Sequence, residues 1–220
     1  ISEESGSFRM KYKHIIWDWN GTLFDDAWLC VEVMNNVLSR RNMPLLTRDR
    51  YMETFDFPVK DYYRKLGFNF KSEPFEISGT EFIVGYNKRY NEPNLHSQAI
   101  PTLDAVKKLG LSQSILSAQE QNTLNELIEI HQLSSYFINI LGLDNHYAHS
   151  KTENGLKWMK ELHFGPHEVL FIGDTVHDYE VAEVIGADSL LIPSGHHSKA
   201  KLTSSGAKVV DSLSQVIEYI

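Results

Sequence analysis

The sequence predicts an α/β fold with a parallel sheet core and an inserted all-helical subdomain, and two patterns lead to it. Short apolar, β-rich runs recur along the chain, and four of the five precede plausible helices: HIIW (14–17), SIL (114–116), FINIL (137–141), VLFI (169–172) and SLLI (189–192). Continuous apolar runs alternating with amphipathic helices indicate a parallel sheet covered on both faces. The alternation breaks once, between residues 26 and 95, where helical patterns follow one another without a strand. A chain of 220 residues is long enough to bury a core as one domain, or as a domain with a subdomain.

Taken in order, residues 1–9 (ISEESGSFR) are polar and lack the apolar stretch of a signal peptide. They read as a leader foreign to the natural chain, with Met10 the natural start. HIIW is the first strand, short and apolar enough to lie inside a sheet. The insertion then reads as four helices, DAWLCVEVMNNVLSRR (26–41), TRDRYMETF (47–55), VKDYYRKLGF (59–68) and EFIVGYNKRY (81–90). Polar connections at 22–26 and 91–101, the second containing Pro93 and Pro101, bound it. The division expected is a core of residues 10–25 and 96–220 and a helical cap of residues 26–95.

The composition, 42% hydrophobic and 23% charged, is that of a soluble globular chain, and no apolar run reaches the roughly 20 residues needed to span a bilayer. A net charge of −8 repels phosphate backbones and anionic lipid, which argues against nucleic acid and membrane partners. The single cysteine, Cys30, reads as a small buried hydrophobe and points to a reducing, cytoplasmic location. The expected assembly is a monomer or homodimer.

In an open α/β sheet, ligands bind beyond the carboxyl ends of the strands. Past HIIW comes Asp18, past SIL comes Ser117, and past VLFI come Asp174 and Asp178, while Lys151 opens the helix before the fourth strand. Helix capping is a structural explanation for three of these places, since residues 117–120, 150–153 and 175–178 all fit the Ser/Thr-x-x-acid box. Lys151 resists it, because the start of a helix already carries positive potential and an anionic partner would explain a cation there. Asp18 resists it too, because a carboxylate ending a buried strand must find a cation, a metal or several amides. The adjacent His196 and His197 in "PSGHHSKA" read as a solvated loop, and Trp17 and Trp19 as packing residues.

Two acids, a hydroxyl and a lysine at the strand ends of one sheet suit phosphoryl transfer, with carboxylates on Mg²⁺ and Ser and Lys on phosphate oxygens. "DWNGTLFDD" resembles the DxDGT(L/V) motif of the haloacid dehalogenase-like superfamily. "ILSAQ", Lys151 in "HSKTENGL", and "VLFIGDTVHDYEVAEVIGA" resemble its other three motifs in order. The resemblance covers Met10 to about Ile220 and implies a Rossmann-like core. The helical insertion is similar to the cap of the phosphoglycolate phosphatase and β-phosphoglucomutase branch.

The resemblance further implies Asp18 as a nucleophile that forms an aspartyl-phosphate. Asp18, Asp174, Asp178 and the main-chain carbonyl of Asn20 would serve a Mg²⁺ cofactor. Ser117 and Lys151, with the backbone at Gly21, Thr22 and Ala118, would bind the phosphoryl group. The departure is Asn20, where the family's phosphatases carry an Asp as general acid and base; an amide can hydrogen-bond but cannot exchange a proton at neutral pH. The expected function is a Mg²⁺-dependent phosphatase acting on a small phosphorylated metabolite, slowed by Asn20. Its cap would select the substrate, with Lys60 and Arg64 as ligands for a second anionic group. The alternative is a phospho-ligand sensor without turnover; a phosphomutase ranks last, because it needs the missing acid and base more.

Overall fold

The computed structural model describes residues 10–144 and 151–220. The leader expected at 1–9 and the capping residue expected at Ser150 lie outside the described residues. Five parallel strands form one sheet in the order β3-β2-β1-β4-β5: β1 His14–Trp17, β2 Ser112–Glu120, β3 Asn139–Leu143, β4 Val169–Gly173 and β5 Asp188–Leu191.

Alternation of side chains along each strand divides the apolar residues between two cores. Ile15, Trp17, Ile115, Leu170 and Ile172 pack on one face against α5 (Ala99–Lys108), α6 (Gln121–Ile130) and α10 (Val216–Tyr219). Ile16, Leu116, Val169 and Phe171 pack on the other against α7 (Lys151–Leu162) and α8 (Val176–Ile185). Each such side chain, fully removed from water, contributes roughly 1.5–3 kcal/mol. That covering explains why these strands read as unbroken apolar runs.

Four helices between β1 and α5, α1 (Ala27–Ser39), α2 (Arg48–Thr54), α3 (Val59–Leu66) and α4 (Phe75–Asn87), build an apolar core of their own from Val33, Met34, Leu38, Tyr62, Tyr63 and their neighbours. Cys30 is buried in it, as its sequence context suggested. α4 begins six residues before the expected 81. The segment Ile77-Ser-Gly-Thr80 is poor in helix formers, but packing overrides propensity here. Gly85 sits so close to α1 that a β-carbon would lie 2.9 Å from a Val33 methyl, so the glycine permits the approach.

The chain crosses from β1 to β2 and β3 on one side and to β4 and β5 on the other, so the strand order reverses at β1. That is the switch point at which α/β sheets bind ligands. A short helix, α9 (Lys199–Ser204), follows β5 and lies beside the cap, where Ser198 N donates to Met52 O (3.2 Å) and Lys201 Nζ to Phe55 O (2.5 Å). No helix among the described residues is long and apolar enough to cross a membrane.

Candidate active site

The β1–β4 ladder continues one residue past β1, with Asp18 N donating to Ile172 O at 2.8 Å, and this fixes the Asp18 side chain at the crevice. The chain then turns on Gly21, whose φ of +81° suits glycine. A β-carbon there would lie 2.3 Å from Asp174 Oδ2. Glycine therefore lets the turn press against the acid at the end of β4. Thr22, fully buried, bridges the two strand ends by donating to Asp18 Oδ2 (3.1 Å) or Asp174 Oδ1 (3.0 Å).

Asp18, Asp174 and Asp178 offer oxygens within 4.8 Å of one another, and all three residues are buried. Lys151 reaches in from the start of α7, 2.5 Å from Asp18 Oδ1 and 2.7 Å from Asp178 Oδ1. Asp178 is also the acid of a capping box on α8, its Oδ2 accepting from the Thr175 amide (3.0 Å), the Thr175 hydroxyl (2.8 Å) and the Asp174 amide (3.1 Å). Capping and site construction are the same interaction at this residue.

Burial, with Asp178 adding to it, pushes the Asp18 carboxyl up to about 6 despite Lys151. Burial raises Asp174 well above the usual carboxylate range, and the charges of Asp18 and Asp178 raise it further against the opposing His196. Asp178 is lowered, because Lys151 outweighs its burial. For Lys151, burial disfavours the charged form, but the two acids outweigh it and hold the ammonium protonated. Three buried carboxylates facing one lysine form a hard oxygen-donor set with a deficit of positive charge, so the residues present fit a Mg²⁺ ion.

Ser117 lies within β2 and does not cap α6. That expectation is corrected: the N-cap is Glu120, whose carboxylate accepts from the amides of Asn122 (3.0 Å) and Thr123 (2.9 Å). Ser117 Oγ accepts from Gln119 N (3.0 Å) and donates to Asn20 Oδ1 (3.4 Å), which brings it to the site's edge beside Ala118. The other side of Asn20 faces Asp26. Asn20 Nδ2 donates to Asp26 Oδ2 at 2.9 Å and lies 3.3 Å from the Tyr86 hydroxyl and 3.4 Å from Gln119 Oε1.

The reading of His196 and His197 as a solvated loop is overturned, since both are buried. His196 N donates to Asp174 Oδ2 (2.6 Å), and its ring lies between Asp26 Oδ1 (3.2 Å) and the Tyr51 hydroxyl (2.7 Å). Burial works against its charge, but Asp26 outweighs this and raises it to about 9. His197 Nδ1 accepts from Val176 N (3.1 Å) at the start of α8. Both follow β5, so the strand-end rule that picked out Asp18 and Asp174 applied to them as well. Asp26, buried at the foot of the cap, was missed because nothing local distinguishes it from Asp25.

Asp18, Asn20, Ala118, Lys151 and Asp178 line one cavity of about 350 Å³ that runs from the strand ends into the cap. Gly21, Thr22, Ser117 and Asp174 are not among its lining residues. Lys60 and Arg64 do not line it: Lys60 sits over the rings of Phe70 and Phe75, and Arg64 over Phe70 while paired with Asp61.

A family model described as haloacid dehalogenase-like hydrolase matches residues 15–192, most of the chain. The chain belongs to the haloacid dehalogenase-like hydrolase family. Within the family it is similar to proteins named phosphoglycolate phosphatase. That of Thiobacillus denitrificans is 28% identical over 90% of both chains. That of Vibrio parahaemolyticus is 25% identical over 68% of this chain and 67% of its own, and the match to its Vibrio vulnificus counterpart spans 57% of that relative. The fold is shared with a haloacid dehalogenase-like hydrolase from Streptococcus pneumoniae, with a TM-score of 0.79, 18% identity, and coverage of 95% of this chain and 98% of that one.

Proposed function

We propose that the chain is a Mg²⁺-dependent phosphatase that hydrolyses a small phosphorylated compound through an aspartyl-phosphate on Asp18. The observation that carries this reading is the buried set Asp18, Asp174, Asp178 and Lys151 at the switch point of a hydrolase-family sheet. Asp18 and Asp174, with the main-chain carbonyl of Asn20, would hold the ion, and Asp178 would support them. When bound, Mg²⁺ offsets the charge of the carboxylates and of the phosphoryl oxygens.

A carboxylate oxygen of Asp18 attacks phosphorus in line, the P–O bond to the substrate breaks, and its electron pair leaves on the alkoxide oxygen, which takes its proton from water. Water then attacks the acyl phosphate, freeing Asp18 and inorganic phosphate. Lys151, now between Asp18 and Asp178, supplies positive charge for the transferring group, and Ser117 Oγ and the amides after Asp18 supply donors. Asn20 can donate a hydrogen bond to the leaving oxygen without giving up a proton, so alkyl phosphates turn over slowly.

The test is phosphate release from an alkyl phosphate by the purified protein, with Mg²⁺ and then with excess chelator. Release with Mg²⁺ that falls to background in chelator is expected. Full release in chelator contradicts the site. Asn20 is the one observation favouring a ligand sensor, and tight binding of Mg²⁺ and phosphate with no release from any ester would favour that reading.

A further inference from the structure

The cavity changes chemistry along its length. Its floor is the acidic site, but the part enclosed by the cap is walled by Tyr51, Phe55, Phe57, Tyr62, Phe82 and Ile83. Among the described residues, Lys151 is the only lysine or arginine that lines the cavity, and it is held by Asp18 and Asp178 at the phosphate end. The two lining histidines are also engaged. His196 is clasped by Asp26 and Tyr51, and His177 packs on the Phe57 ring with centroids 4.7 Å apart, its Nδ1 3.6 Å from Glu180.

Phosphoglycolate carries a carboxylate two atoms from its phosphate ester oxygen. Burying that second anion among aromatic rings, with Asp26 and Glu120 also on the walls, leaves it, among the described residues, with no cation beyond Lys151 at the phosphate end and the His196 already paired with Asp26. An uncharged body removes that cost and gains from leaving water, and the volume of about 350 Å³ accommodates a ring as well as a phosphate.

Resting on the phosphatase reading, we propose that the substrate is a phosphate monoester of an uncharged, predominantly apolar alcohol of about the size of a phenyl-bearing chain, and that phosphoglycolate is excluded. Selection is made by the cap wall, and the phosphoryl end is common to any ester.

The test uses phenethyl phosphate and phosphoglycolate as substrates and, for binding alone, their phosphonate isosteres, in which a methylene replaces the bridging oxygen. Calorimetry on the wild-type protein with Mg²⁺ should find the phenyl phosphonate bound roughly tenfold to hundredfold more tightly, the gain expected from burying a ring. Equal or tighter binding of the carboxylated phosphonate overturns the proposal. Ile83→Arg, at a partly exposed wall position of α4, should narrow the ratio at least several-fold by supplying a cation, and an unchanged ratio would place the apolar body elsewhere. Turnover keeps the two readings apart. Preference for the phenyl phosphonate with no hydrolysis of phenethyl phosphate supports the cavity's selectivity and removes the phosphatase. Hydrolysis of both esters with equal binding keeps the phosphatase and removes this selectivity. If neither phosphonate binds, this selectivity falls, and if neither ester is hydrolysed either, the phosphatase falls with it.

Discussion

Asn20 and Asp26 form a donor–acceptor pair, 2.9 Å apart, at the boundary between sheet and cap. Asp26 is held ionised below the usual carboxylate range; burial opposes this, but His196, Tyr86 and Asn20 outweigh it. Asn20→Asp would remove a donor and set a second carboxylate against the first. Like charges so close raise the pKa of one of them, which is the property a general acid near neutral pH needs. Turnover of an alkyl phosphate should therefore rise in Asn20→Asp, by up to roughly 10²–10⁴-fold, while stability falls by about 1–3 kcal/mol. The exchange Asn20→Asp with Asp26→Asn restores the donor–acceptor pair but takes from His196 the carboxylate 3.2 Å from its ring, so it should recover part of that stability. Phosphate release and urea unfolding on the three proteins check both halves, and an Asn20→Asp protein no faster than wild type would mean that the proton comes from elsewhere. Asp18 and Asp174 stood out because each follows a strand, and Lys151 because it opens a helix with the wrong charge for it. Asp26 did not, because its contacts form only where the cap closes on the sheet, and His196 was passed over although it follows a strand end.

The five strands were legible because covering on both faces leaves an unbroken apolar run, and the cap because helical periodicity persisted without one. Boundaries were read less well where packing and propensity disagree, as at the start of α4, or where an irregular register carries β2 past Leu116 to Glu120 and takes Ser117 out of the expected cap. Strand β1 also carries a buried titratable group that the pattern HIIW does not advertise. His14 bridges Ser112 Oγ and Ser114 Oγ, both at 2.7 Å, and burial lowers its pKa from 6.5 to about 4. Because the folded value lies below the unfolded one, its contribution is fully present above about 6.5 and is lost as pH falls towards 4. The difference amounts to about 3 kcal/mol across that window. His197, also lowered to about 4 by burial and by Lys201, adds to the same slope. Urea unfolding of wild type and His14→Gln between these pH values should show a shallower dependence in the variant; an identical slope would assign the titration to other groups.

At the scale of the molecule, the cap is tied to the sheet by polar contacts that surround the cavity. Tyr51 from α2 and Tyr86 from α4 reach His196 and Asp26, and the segment after β5 bonds to α2 through Ser198 and Lys201. On the proposed reading the reacting acids lie at the strand ends and the start of α8, whereas the cap walls the selective part of the cavity, so specificity and chemistry should respond separately to mutation. The central claim is that Asp18 carries the phosphoryl group during turnover. Wild-type protein mixed with Mg²⁺ and an activated aryl phosphate should release a burst of alcohol and then turn over slowly, because water attack lacks a base. Acid quenching during the slow phase, followed by peptide mass analysis, is the direct measurement. The peptide containing Asp18 should carry one phosphoryl group in the wild type and none in Asp18→Asn, which should also release no phosphate. Phosphate release with Asp18 never modified, or persisting in Asp18→Asn free of deamidation, would contradict the account.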